Sequence, residues 1–445
     1  MREYLLTILS AAVVTYLLTP AVRKFAIWFG AVPEVRARDV HKTPIPRLGG
    51  LAMFGGMLGA LVVAARLPEM HKVFENDSGS SGSGNVSTGL LLAGGLIVLI
   101  GIADDRWGVD SLTKFAGQVA AAGLLIMNGV QLLWIPLPTN ENLSLPPELG
   151  VPLTVLVVVA TINAINFIDG LDGLAAGTVG IAAIALFSYA YLLSYSYHMD
   201  LLTAPALITA ILIGMCAGFL PHNFNPARIF MGDTGSMLIG LLFSASTIML
   251  TGNFDTSVVG NSKAFPLFVP LLLPLAVVAV PFLDMLLAVW RRTNDGRSPF
   301  APDKQHLHHR LLEIGHSHRR AVLIMYFWVG LLAAGVIEIA MAKPIAGKLH
   351  MPHHQPMVLG VLLMLTAIFG TVGVIGMFVV PRWNRGRRRR SAARRVPAVA
   401  TPQPVNGQPV NGQSVNGHGA GHSPVSGNLP AGVPASQERR HQPIL

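Results

Sequence analysis

Runs of about twenty apolar residues recur along most of this chain, and they restrict it to one kind of fold. Such lengths suit helices that cross a bilayer's hydrocarbon, although the third and fifth segments below are short. Eleven such segments are predicted, at 3–22, 48–65, 88–103, 114–136, 151–166, 175–197, 204–220, 235–250, 265–290, 320–341 and 356–380. The residues between them do not supply the surface of a soluble domain. Only 12% of the 445 residues are charged and 52% are hydrophobic, whereas a soluble domain is about a quarter charged. The segment 151–166 is rich in Val, Ile and Thr, a composition that also suits a strand. A strand survives in lipid only within a closed sheet, and no other segment offers one. The expected fold is therefore an all-α integral membrane protein, a polytopic bundle of about 11 transmembrane helices. The first run, from Tyr4 to Ile27, is read as a retained span, because no small-residue cleavage site and soluble domain follow it.

Basic residues orient the bundle. Arg23, Lys24, Arg36, Arg38, Lys42 and Arg47 fall between the first two runs. Arg291, Arg292, Arg297, Lys304, Arg310, Arg319 and Arg320 precede the tenth, and "PRWNRGRRRRSAARR" follows the last. With eleven spans, these segments share one side. The positive-inside rule makes that side cytoplasmic and the N-terminus external. The net charge of +10 thus reads as membrane topology, and no nucleic-acid partner is expected. Residues 1–380 form the expected transmembrane domain, and 381–445 a basic and then low-complexity cytoplasmic tail. The tail carries "QPVNGQPVNGQSVNG", lacks apolar periodicity and is expected to be disordered. Its arginines suit anionic membrane lipids. The single cysteine, Cys216, lies inside an apolar run as a small packed hydrophobe.

Acidic residues collect at the predicted cytoplasmic ends. "IADDRWGVDS" places Asp104 and Asp105 after the third run, with Asp110 read as a helix cap. "NFIDGLDGLAAG" places Asn166, Asp169 and Asp172 after the fifth, and "NPARIFMGDTGS" places Asp233 just before the eighth, where Asp233 or Thr234 is expected to cap it. Adjacent carboxylates near a bilayer are costly without a positive partner. Asp169 and Asp172 share a face if the turn that carries them is helical. Oxygen ligands of this kind suit Mg²⁺ or Mn²⁺, and zinc is disfavoured without a thiolate. "DKQHLHHR" adds His306, His308 and His309 among Lys and Arg, a setting for phosphate. With no GxxxxGK[ST] or GxGxxG loop, a carboxylate cleft beside a basic loop fits phosphoryl transfer between a lipid phosphate and a soluble nucleotide compound. A transporter is the rival from another class, although carriers more often bury their charges near the midplane.

"ADDRWGVDSLTKF", "NAINFIDGLDGLAAG", "PARIFMGDTGS" and "DKQHLHHRLL" resemble the successive motifs of the polyprenyl-phosphate N-acetylhexosamine-1-phosphate transferases. The resemblance covers about residues 1–380. It implies a multi-pass protein of the plasma (inner) membrane with a cytoplasmic site that uses UDP-GlcNAc and a polyprenyl phosphate and releases UMP. By this resemblance Asp104 and Asp105 are catalytic, with Asp104 the favoured base nearest the lipid phosphate. Asp105 is expected to hold Mg²⁺ through a water or to meet a basic residue. Asp233 is the principal metal ligand, with Asp105 or Asp172 as assisting candidates. Asn166, Asp169 and Asp172 shape the nucleotide and metal site. Lys42 approaches the nucleotide, and His306, His308 and His309 contact the substrate phosphates. Arg291, Arg292 and Arg297 lie where sugar recognition is expected. "HLHH" and "PIPRLGG" depart from the UDP-MurNAc-pentapeptide branch and favour the GlcNAc branch; another UDP-HexNAc or UDP-MurNAc-pentapeptide is the alternative donor. A homodimer is compatible with such a chain. The tail's composition generates the first prediction: truncation at Val396 leaves specific activity of the inserted protein unchanged, measured per mole of purified enzyme.

Overall fold

In the computed structural model of the chain, the described residues are 1–33, 44–71, 73–74, 85–136, 142–197, 203–252 and 317–349, with Thr293 and Leu365. All lie within the unit Met1–Gly386. The helices are α1 (Arg2–Phe29), α2 (Gly49–Ala64), the short α3 (Pro68–His71), α4 (Val86–Trp107), α5 (Ser111–Met127), α6 (Pro147–Ile168), α7 (Leu174–Tyr197), α8 (Thr203–Asn223), α9 (Gly232–Gly252) and α10 (His318–Leu349). Among the described residues, six are long and apolar enough to cross a membrane: α1, α4, α6, α7, α8 and α9; α2 and α5 are shorter apolar helices. The segments expected at 265–290 and 356–380 lie outside the described residues.

Apart from the short α3, the helices α1 to α9 alternate in direction, and α10 starts at the same end as α9. The C-terminal ends of α1, α4, α6 and α8 therefore meet the N-terminal ends of α2, α5, α7, α9 and α10. Hydrogen bonds tie these ends together: Arg47 N donates to Ala31 O at 3.0 Å, Gly49 N to Phe230 O at 2.9 Å and Phe230 N to Pro46 O at 2.9 Å. Arg106 Nε donates to Phe29 O at 2.6 Å, a cation satisfying the exposed carbonyls of the α1 C-terminus.

At the centre stands α9, with 94% of its apolar window buried. It packs against α2, α4, α6 and α8. Its buried hydroxyls do not seek partners elsewhere. Ser244 donates to Leu241 O, Ser246 and Thr247 to Phe243 O, and Thr251 to Thr247 O. Small residues let the surrounding helices close in, as is usual where lipid provides no hydrophobic force between them. A Cβ on Gly50 of α2 would lie 2.1 Å from Gly235 N, one on Gly101 of α4 2.4 Å from Thr234 Cα, and one on Gly240 2.8 Å from Ile162 Cα of α6. Three helix backbones thus touch α9 directly, two of them at its N-terminal end.

Several boundaries differ from the sequence reading. The segment 114–136 is not one helix: α5 stops at Met127, Asn128 caps it, and Gly129 turns with φ 88°. An Asn-Gly pair is a helix-ending signal. The chain then forms β1 (Trp134–Pro136), paired antiparallel with β2 (Asn142–Ser144), with Ile135 opposite Leu143. This three-residue ladder is a local addition to a fold that is otherwise helical among the described residues, as expected of an all-α membrane protein. Helix α4 continues to Trp107, so Asp104 and Asp105 sit in its last turn, and α9 begins at Gly232, so Asp233 sits in its first.

Gly50→Ala tests the backbone contact. Overpacking of this kind costs about 1–3 kcal/mol, and more where backbone must move. Thermal unfolding in detergent should show a clear loss of stability. Gly123→Ala in α5, whose added Cβ meets nothing within 4 Å, should equal or exceed wild type, since Ala is the better helix former.

Candidate active site

Asp105 is buried, at 9% exposure, and its carboxylate turns toward the start of α9. It accepts from Asp233 N at 3.0 Å, Thr234 N at 3.1 Å and Thr234 Oγ1 at 2.7 Å. The first amides of α9 have no partner within their own helix, and the positive end of the helix dipole favours an anion there. Asp105 meets both needs from α4. The caps expected from Asp233 or Thr234 are replaced by this one. Gly232, with φ 69°, follows from it: a Cβ there would lie 2.2 Å from Asp105 Oδ2.

The neighbouring Asp104 faces elsewhere, as successive helical residues do. Its Oδ1 accepts from Val109 N at 2.9 Å and its Oδ2 from Lys114 Nζ at 2.9 Å. The same ammonium bonds Asp233 Oδ2. Lys114 lies in the first turn of α5, whose start is capped by Asp110 accepting from Thr113 N at 2.9 Å and Thr113 Oγ1 at 2.6 Å. Those donors hold the Asp110 carboxyl below its ordinary pKa. One oxygen each from Asp104, Asp105 and Asp233 fall within 4.8 Å of one another. The sequence reading named all three acids and missed Lys114, which lay within its quoted motif. The available signal was one lysine soon after two adjacent acids on the same predicted face.

Asn166 donates to Ser236 Oγ at 2.9 Å, joining α6 to α9. Asp169 is the C-cap residue of α6 and keeps part of its surface open. The protein around it, and then the charges of Asp233 and Asp105, push its carboxyl well above the usual carboxylate range, against the pull of Arg47.

Asp172 behaves differently. The turn carrying it is not helical, so it does not share a face with Asp169. Its Oδ2 accepts from Asn225 Nδ2 at 2.9 Å and Ala227 N at 3.0 Å, and it lies outside the carboxylate cluster. These two bonds tie Asp172 to the 223–231 loop. Asn223, also missed in the sequence, helps: it accepts from Gly173 N and donates to Ile229 O, both at 3.0 Å. Helix α10 closes this side. Asp172 N donates to His318 Nε2 at 3.1 Å, Arg319 Nε to Asn225 O at 2.8 Å, and Tyr326 OH to Gly173 O. Lys42, Arg291, Arg292, Arg297, His306, His308 and His309 lie outside the described residues.

Residues 87–251 match the family model described as glycosyl transferase family 4. The decaprenyl-phosphate N-acetylglucosaminephosphotransferase of Mycolicibacterium smegmatis is 46% identical over 347 residues, 77% of this chain and 84% of that protein. The chain belongs to the polyprenyl-phosphate N-acetylhexosamine-1-phosphate transferases. This transferase is also 48% identical over 347 residues to the protein of the same description from Mycobacterium tuberculosis, again 77% of this chain and 84% of that one. It is 34% identical over 329 residues, 73% of this chain and 82% of that one, to a probable undecaprenyl-phosphate N-acetylglucosaminyl 1-phosphate transferase of Bacillus subtilis. Asp104, Asp105, Lys114, Asn166, Asp169, Asp172 and Asp233 of the transferase all fall inside the matched 87–251.

The two adjacent acids should separate by experiment. Asp105→Asn loses charge-assisted bonds to the α9 N-terminus, worth about 2 kcal/mol or more, and lowers the thermal midpoint of the transferase. Asp104→Asn loses one ion pair but leaves Lys114 on Asp233, so that midpoint falls less than in Asp105→Asn while turnover falls. Unfolding and activity measured on both variants check the division.

Proposed function

We propose that the chain transfers GlcNAc-1-phosphate from UDP-GlcNAc to a polyprenyl phosphate at the cytoplasmic face of the plasma membrane. The products are polyprenyl-pyrophosphoryl-GlcNAc and UMP. The observation that carries this reading is the meeting of Asp104, Asp105, Asp233 and Lys114 at the shared ends of apolar helices. A site there is reached by a lipid phosphate from the bilayer and by a nucleotide from water. The relatives above are named for a decaprenyl or undecaprenyl phosphate and for N-acetylglucosamine phosphate, which supports such a pair.

In the reaction, an oxygen of the lipid phosphate attacks the β-phosphorus of the UDP-sugar. The bond from that phosphorus to the bridging oxygen breaks, and UMP leaves with the electron pair. A phosphate monoester is already largely ionised at neutral pH. The chief tasks are therefore to bring two anions together and to neutralise the charge that gathers between them. Asp104 is aimed by Val109 N and Lys114, Asp233 by the α9 N-terminus that Asp105 fixes, and Asn166 by Ser236. Asp104 takes the place nearest the lipid phosphate, as base or as electrostatic guide.

The donor set fits a divalent metal. It is all oxygen, and three carboxylates converge within 4.8 Å. Asp233 with Asp104 or Asp105 would hold Mg²⁺, or Mn²⁺ in its place, which would supply charge neutralisation of the pyrophosphate. The position of the acids at helix ends, and not at mid-helix, supports the enzyme over the carrier. Arg23, Lys24, Arg47, Arg106, Arg228, Arg319 and Arg320 belong to this same end, which supports its cytoplasmic side.

Purified protein with Mg²⁺, sugar-labelled UDP-GlcNAc and a polyprenyl phosphate should move label into organic solvent and release UMP in equal amount. Label that stays in water with UDP-GlcNAc and with other UDP-HexNAc donors would overturn the assignment. Asp233→Asn should insert normally and lose about two orders of magnitude in rate, the scale of one lost electrostatic group.

A further inference from the structure

The ammonium of Lys114 lies between two of the three acids that would hold a divalent cation. It bonds Asp104 Oδ2 at 2.9 Å and also bonds Asp233 Oδ2, the two acids that α4 and α9 bring together. Mg²⁺ needs carboxylate oxygens at about 2.0–2.1 Å, and a cation that close to both oxygens leaves no room for the ammonium between them. Two positive charges at such a distance also repel strongly in a partly desolvated cleft.

We propose that Lys114 is the metal's stand-in. In the metal-free protein its ammonium neutralises the Asp104–Asp233 pair and holds α4, α5 and α9 together; a divalent cation entering the cleft displaces it. The inference rests on the metal reading above. The local structure suits such an exchange. The α5 start is fixed independently by Asp110 and Thr113, so the backbone need not move when the ammonium leaves. The lysine stem is flexible and its side chain is 24% exposed, so water is at hand for the released charge. Asp104 keeps Val109 N on its other oxygen at 2.9 Å and stays aimed into the cleft. Asp105, committed to Thr234 and Asp233 N, does not bond the lysine among the described contacts.

The exchange makes metal binding a competition, and that sets the sign of the test. Mn²⁺ binding to the purified full-length protein is followed by electron paramagnetic resonance, and thermal unfolding is followed with and without Mn²⁺. Lys114→Met should bind Mn²⁺ about tenfold more tightly, the scale of a modest coupling. It should be less stable than wild type without metal, and the gap should close at saturating Mn²⁺. Lys114→Arg, which keeps the charge, should bind no more tightly than wild type. Unchanged or weaker binding by Lys114→Met, or a stability gap that persists at saturation, would overturn the proposal. If the methionine variant does not fold, Lys114→Gln repeats the comparison with the same expected tightening. Asp233→Asn separates the two levels of inference. If wild-type Mn²⁺ binding does not depend on Asp233, the metal reading itself fails. If it does depend on Asp233 and Lys114→Met is no tighter, only the stand-in role fails.

Discussion

The carboxylate of Asp105 closes the N-terminal end of a helix that is not its own. Its bonds to Asp233 N and to Thr234 N and Oγ1 set the rotation and height of α9 against α4. They also explain why a carboxylate is tolerated where apolar helices pack. The donors it meets are backbone amides that would otherwise lack partners, and a charge there gains from the helix dipole. Gly232 is required beneath it, and Gly50, Gly101 and Gly235 are required beside it, because the backbones approach too closely for side chains. The same arrangement places Asp104 and Asp233 around one ammonium, that of Lys114.

The carboxylates that look alike in the sequence thus divide by partner. Asp104 and Asp233 share an ammonium, Asp105 holds a helix end, Asp172 holds a loop, Asp110 caps α5, and Asp169 sits in a field of like charge. The division follows which donors each side chain meets, and those donors come from distant segments. Asp105 meets Thr234 across 129 residues, and Asp172 meets Ala227 across 55.

That distance also explains how much could be read from the chain alone. The apolar runs located the helices, since a membrane helix is specified by length and composition within one segment. The gathering of Asp104, Asp105 and Asp233 at one end followed from alternating direction, which needs only the order of the runs. Helix ends were less legible. Asn128–Gly129 was passed over inside an apolar stretch, and the short hairpin of Trp134–Pro136 with Asn142–Ser144 has too few residues to show a period. Which acid would cap and which would face the cleft was not legible, because Asp104 and Asp105 differ only by the rotation of one residue on α4. Lys114 was hidden for a related reason: a lysine near a predicted helix start reads as topology until a partner across the cleft is seen.

The hairpin gives α9 a second attachment. At the end remote from the acids, Trp134 Nε1 donates to Gly252 O at 3.3 Å, and Leu132 N donates to Thr154 Oγ1 of α6 at 3.0 Å. With Asp105 at one terminus and the hairpin at the other, α9 resembles a post pinned at head and foot. Sliding it along its axis would break bonds at both ends, and rotating it would drive backbone into backbone at Gly50 and Gly101. The central helix is therefore a fixed datum for the molecule. Whatever the cleft at its head admits must be accommodated by side chains and by the elements around α9, with the post itself remaining where it is.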